Sequence, residues 1–238
     1  IVVYIIFLLK LSILNNYLKE FIMKKPDSSI DKLREKKKKF LARGTVIRDS
    51  AISLLKNTDM DSVTVSLIAR HAGIGKGTIY KHFLSKAEIL IRIVYDYERN
   101  IYENIRLYIS EGKGDKEPIS VIHKYFSLRL SDPSLDLLVR NLVLALEGDQ
   151  KLSKAINEIR SLKEGLDASI ISSIQPLIKK GILQDYPPAY YHFAYISFID
   201  GVVDKCADSK YKLDAHTQAE LLNFISSIGS SMGRCLKG

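Results

Sequence analysis

The chain has 238 residues, of which 46% are hydrophobic and 26% charged; that balance supports a folded core and excludes a disordered or low-complexity protein. Its net charge of +9 is unevenly placed, with 15 lysines and arginines against 7 acids between Lys24 and Leu90, and 19 of each from Ile91 onward. A basic head on a neutral body suits a polyanion, with DNA, RNA and anionic lipid all open on charge alone and a solvated surface as the alternative.

The chain opens on the apolar run Ile1–Leu9, which is interrupted by Lys10, Asn15, Asn16, Lys19 and Glu20. Nine residues are too few to span a bilayer, and neither a preceding positive charge nor a small-residue cleavage site marks a secretory signal. The first methionine is Met23, followed by a polar, lysine-rich stretch, so Met23 is the expected start and residues 1–22 are read as upstream sequence. A membrane-surface helix is the alternative for that segment. Lys24–Arg43, with the run Lys36–Lys39, reads as a basic arm able to hold phosphates without reading bases, or as a solvated helix extension.

From Thr45 the apolar positions recur at three-and-four spacing. Val46, Ile47, Ala51, Leu54 and Leu55 mark a first helix that ends at Asn57-Thr58-Asp59. Thr64 is a good N-cap for a second, whose buried face is Val65, Ile68, Ala69 and Ala72. Gly73 allows the left-handed turn that ends it, and Ile74 tucks between helices. A third helix is predicted over Lys76–Phe83. Ile79 and Phe83, four apart, must face inward, which turns Gly77 and Lys81 outward with Thr78 and Tyr80 on the flanks. That face suits a groove: Gly77 allows close backbone approach, Thr78 offers a hydroxyl and a methyl, Lys81 reaches a guanine edge or phosphate, and Tyr80 reaches a phosphate.

The segment Thr64-Val65-x-x-Ile68-Ala69-x-x-Ala72-Gly73-Ile74-Gly75-Lys76-Gly77-Thr78-Ile79-Tyr80-x-His82-Phe83-x-x-Lys86-x-x-Ile89-Leu90 resembles the signature of the tetracycline-repressor (TetR) family of transcriptional regulators. The resemblance covers Thr45–Leu90; the rest of the chain matches in length and helical character. It implies that Thr45 and Thr64 contact phosphates, that Lys76, Gly77, Thr78, Tyr80, Lys81 and His82 enter the major groove, and that Lys86 grips phosphate. One position departs from the pattern: Gly75 stands where the family often has a capping serine, which weakens the cap by a few tenths of a kcal/mol or so.

Further helices are predicted to about Ile109, then over Pro118–Leu130, Pro133–Glu147, Lys151–Lys180, Pro188–Ala207 and Asp214–Lys237, nine from Thr45 onward. The expected fold is all-α, with 1–44 an apolar segment and basic arm, 45–90 a helix-turn-helix DNA-binding domain and 91–238 a helical effector-binding and dimerisation domain. Stripes at Ile199 and Val203, and at Leu221, Ile225, Ile228, Gly229 and Met232, are expected to pair with their twofold mates. Tyr95, Tyr102, Tyr125, Phe126, Tyr191, Tyr195 and Phe198 are candidates to line an effector pocket, with plain core as the alternative.

Neither Cys206 and Cys235 nor the five histidines show metal-ligand spacing, and no nucleophile–base pair or phosphate loop marks an enzyme; no metal or cofactor is expected. The resemblance implies a cytoplasmic homodimer on a palindromic DNA operator, a repressor released by an unidentified small-molecule effector. A scaffold of the same fold, acting through protein partners or at the membrane surface, is the alternative.

Overall fold

The computed structural model describes residues 28–112, 120–208 and 215–233. The apolar run, the Met23 start, Pro118 at the predicted start of a helix and the predicted helix beyond 233 lie outside them. The described residues form nine α-helices and no strand, and the chain divides into two compact units, 1–46 and 47–238.

The first helix, α1, runs Ser28–Leu55, so it begins well before the Thr45 boundary that apolar periodicity indicates. Its front half consists largely of Lys, Arg, Glu and Leu, strong helix formers that need no buried face. Glu35 pairs with Lys39 at 3.6 Å and Asp31 with Arg34 at 3.7 Å. Both pairs are exposed and contribute little beyond local helix support.

In the second unit a short 3-10 turn at Met60–Ser62 leads into α2, Val65–His71. Thr64 caps α2 as its sequence position indicates, its hydroxyl accepting from the Leu67 amide at 3.2 Å. At the other end Gly73 has φ +65°, the Ile74 amide donates to the Ala69 carbonyl at 3.0 Å and the Gly73 amide to Arg70 at 3.2 Å. Those two bonds define a Schellman turn, and a side chain at Gly73 would be strained by its backbone angle alone. The next helix, α3, is shorter than the predicted Lys76–Phe83: it spans Lys76–Ile79, with Tyr80 as its C-cap. Phe83 still reaches the core because its amide bonds the Ile79 carbonyl at 2.9 Å, keeping a helical turn after regular helix ends.

The body comprises α4 (Lys86–Ser110), α5 (Ser120–Arg129), α6 (Pro133–Leu146), α7 (Ser153–Lys179), α8 (Pro188–Ala207) and α9 (Ala215–Ser231). α4 is opened by a variant of the capping box: Ser85 accepts from the Glu88 amide at 3.1 Å, while the Glu88 carboxylate accepts from the amide of Leu84, one residue before the N-cap. It packs mainly on α7, with α6 and α5 flanking, and α8 lies against α6 and α7.

Two apolar clusters form the interior. One joins Ile47, Ile68 and Ile79 to Ile89, Leu90, Ile91, Ile93 and Val94 and, from the body, Val139, Leu142 and Leu146 of α6. The other is built on Ile101, Ile105, Phe126, Ile170, Ile174, Tyr195 and Ile199. The head core therefore does not stop at Leu90: α6 supplies one of its walls.

Candidate nucleic-acid interface

The side chains that hold α3 in place are the ones it hides. Ile79 is fully buried and Phe83 nearly so, both in the cluster that includes Ile68. Anchoring that side leaves Lys76, Gly77 and Lys81 exposed, Tyr80 46% exposed, and Thr78 and His82 half-buried at the margins. A Cβ built at Gly77 meets nothing within 4 Å, so its missing side chain leaves an open gap on the outer surface rather than room inside the protein. Gly75 gives no side-chain cap to α3, as the departure from the serine pattern implies. Thr64 is exposed, and its hydroxyl proton stays available while its oxygen accepts from Leu67.

Two of the phosphate contacts that the resemblance implies have a different setting. The Lys86 ammonium donates to the Met60 carbonyl, part-buried, and so ties α4 to the turn before α2 instead of standing free toward a ligand. Thr45 belongs to the other unit, where its hydroxyl donates to the Leu41 carbonyl at 3.3 Å.

The candidate pocket residues are dispersed. Phe126, Tyr191 and Tyr195 are buried in the core, with Phe198 packed on Phe126 at a ring distance of 5.8 Å, so that an aromatic stripe fills the interior between α5 and α8. Tyr95 and Tyr102 instead border an open groove along α7, with Ser153, Asn157 and Ser161. Tyr125 is buried yet forms part of the wall of a cavity of about 170 Å³ between α4, α5, α6, α7 and α8.

That cavity is lined by charge. Arg129 donates from Nη2 to Asp136 at 2.7 Å and to Asp200 at 2.8 Å, from Nη1 to the Tyr125 hydroxyl at 2.8 Å, and from Nε to Asp136. Tyr97 also donates to Asp136, which is 1% exposed, and Arg140 stands 3.3 Å from it. Burial works against the Arg129 charge, but the hydrogen bonds and charges of Asp136, Tyr125 and Asp200 together outweigh it and hold the guanidinium above its ordinary pKa. Burial pushes the Tyr125 hydroxyl up to about 12, with Arg129 opposing. Sequence reading singled out Tyr125 but none of the arginines and aspartates around it, since each of those looks like a surface group on its own helix.

Across the cavity Glu98 pairs with Lys163 at 3.9 Å. Burial raises its pKa, and the lysine offsets only part of that. A carboxyl whose folded pKa is raised favours folding below its unfolded pKa, and that contribution is lost as pH rises through the folded value. Glu98→Gln is therefore expected to raise Tm at pH 7, by about 2–4 °C for each kcal/mol gained, with the gain shrinking as pH falls into the carboxylate range. Thermal melts from pH 4.5 to 8 check this; a lower Tm at pH 7 would show that the Lys163 pair outweighs desolvation.

The expected dimer stripes divide as well. Ile199 and Val203 are fully buried and Ile225 is 7% exposed, all within the core of one chain, which corrects their assignment to an interface. Leu221 and Met232 are partly buried against the same core, Gly229 falls in α9, and Ile228 is 38% exposed. Among the described residues, the most exposed large apolar side chains on α8 and α9 are Tyr190, Phe193 and Phe224, at 61–74% exposure.

A capped two-helix turn with an anchored short helix and a basic outer face defines a helix-turn-helix DNA-binding protein. The sequence profile of the bacterial regulatory proteins of the tetR family matches residues 47–93. The "Fatty acid metabolism regulator protein" of Bacillus subtilis (strain 168) is 31% identical over 153 residues, 63% of this chain and 76% of that protein. The chain belongs to the tetR family and is a DNA-binding transcriptional regulator. Solved structures share its fold: a tetR-family regulatory protein from Rhodococcus RHA1 at TM-score 0.67 and 13% identity, covering 82% of this chain and 98% of that one, and the Bacillus subtilis regulator FadR, crystallised with stearoyl-CoA, at TM-score 0.60 and 24% identity, covering 79% and 97%. Among the described residues no helix is long and apolar enough to cross a membrane, and no group of His, Cys, Asp and Glu is arranged to hold a metal.

Proposed function

We propose that this protein is a repressor that places two copies of the Lys76–His82 segment in successive major grooves of a palindromic operator, and that a small molecule bound by the body releases it. The observation that carries the reading is the outer face of α3, where burial of Ile79 and Phe83 leaves Lys76, Gly77, Tyr80 and Lys81 toward solvent. In this reading 45–90 is the DNA-reading head and 91–238 the effector and dimer body. Thr78 and Lys81 read base edges, while Thr45, Thr64 and Tyr80 hold phosphates. Lys86 acts chiefly by fixing the entry to α4. The open apolar side chains of α8 and α9, Phe193 and Phe224 foremost, meet their twofold mates. The protein works as a binding protein in the cytoplasm, where its DNA is.

The effector class we propose is a long-chain acyl thioester, and the regulated genes those of fatty-acid metabolism. The support is the 31% identity to the Bacillus subtilis fatty acid metabolism regulator across three-quarters of that protein. The test is selection of fragmented DNA from the protein's own genome by the full chain, with and without stearoyl-CoA, at two salt concentrations. Enrichment of one palindrome, reversed by stearoyl-CoA, is the expected result. Binding without a preferred site, erased by salt, would overturn the regulator reading. A preferred site insensitive to stearoyl-CoA would overturn the effector class alone.

A further inference from the structure

We infer that the Lys56–Asp132 ion pair is the output of a polar relay through which the body sets the position of the DNA-reading head. The inference rests on the reading of a head controlled by its body, and it names residues that carry the control. Lys56 follows the last residue of α1, and its ammonium donates to both Asp132 oxygens, at 2.6 and 2.8 Å. Asp132 is at the same time the N-cap of α6: its Oδ1 accepts from the Leu135 amide at 3.0 Å, and its carbonyl accepts from the Asp136 amide at 3.0 Å. The residue that caps α6 thus lies one turn from the buried centre of the charged cavity.

The two ends of that turn are held differently. Asp136 is clasped by Arg129 of α5 and by Tyr97 of α4, and Arg129 continues to Asp200 of α8. Its side chain is 1% exposed and that of Arg129 is 8% exposed, so neither charge can leave the pair for water when the helices around the cavity shift. A rigid helical turn then carries the displacement to Asp132, whose carboxylate is 44% exposed and has Lys56 as its link to the head. The relay runs through the first turn of α6.

The test is a double-mutant cycle without ligand. Tyr97→Phe removes one hydrogen bond to Asp136 and leaves the ring. It is expected to change affinity for the genomically selected DNA three- to tenfold in the native background. In Asp132→Asn, which keeps a capping side chain, and in Lys56→Met, which keeps the aliphatic stem, the same change is expected to fall below twofold. Asp132→Asn also separates the relay from any direct contact of Lys56 with phosphate. Amide exchange of residues 65–83 in the free protein gives a reading that needs no operator: Tyr97→Phe should alter it natively and not beside Asp132→Asn. An equal effect of Tyr97→Phe in all backgrounds, or none in the native one, would overturn the relay. Failure to select any DNA sequence would count against the regulator reading and leave the exchange measurement to decide this one.

Discussion

Replacing Lys81 with alanine is expected to weaken binding to the preferred DNA site by about 10- to 100-fold for each head, the loss that follows from one base contact of roughly 1–3 kcal/mol. The fold should be unaffected, because Lys81 is exposed and the burial that anchors α3 belongs to Ile79 and Phe83. The salt dependence decides what Lys81 touches. If it reads a base edge, the preference among sites relaxes while the slope of log K against log salt stays nearly constant; if it holds a phosphate, all sequences weaken alike and the slope falls by about one per head. Tyr80→Phe separates the hydroxyl from the ring at the neighbouring position, and its effect should be smaller than that of Tyr80→Ala. Unchanged affinity in both Lys81→Ala and Tyr80→Ala would move the interface away from α3.

Asp136→Ala is expected to cost roughly 3–5 kcal/mol of stability, because it leaves Arg129 buried without its main counter-ion. For a chain of this length that corresponds to a fall in Tm of about 6–20 °C. The loss belongs to breaking the pair and not to the pair's net worth. An apolar exchange of both members, Arg129→Met with Asp136→Leu, should therefore recover much of it, although Tyr97 then loses its acceptor and Asp200 its closest cation. Thermal melts of the single and double variants measure the difference. A double variant as unstable as Asp136→Ala would show that the network is held by more than the Arg129 charge. The same network explains why a body rich in aromatic residues encloses a charged cavity: Tyr97 and Tyr125 turn their hydroxyls toward Asp136 and Arg129 and their rings toward the core.

The head was legible in the sequence because its determinants are local. A hydroxyl before an apolar repeat, a glycine after it and two apolar residues four apart place a cap, a turn and a buried face without reference to anything distant. The structure has all three, at Thr64, Gly73 and the Ile79/Phe83 pair. Where no apolar repeat was available, the reading stopped short. The lysine-rich front of α1 has helix propensity but no buried stripe, so periodicity began the helix at Thr45 and the structure begins it at Ser28. The end of α3 at Ile79 carries no glycine or proline, and the helical bond from Phe83 back to Ile79 makes helix and turn hard to tell apart in one dimension. Ser85 and Glu88, three apart before an apolar run, did carry a signal for the start of α4 that went unread.

The sequence by itself determined the all-helical class, the helix-turn-helix and the face of α3 that meets solvent, because each depends on spacings within a few turns of one helix. Tertiary structure alone decided which apolar stripe of α8 and α9 is core and which is open, since both helices carry apolar residues on more than one side. Ile199 and Val203 went inward, while Phe193 and Phe224 stayed outside. It alone also brought Tyr97, Arg129, Asp136 and Asp200 together and set Lys56 on Asp132. A charged side chain reads as solvated until folding removes the water around it, and only the packing of helices distant in sequence decides which charges lose that water and must find each other.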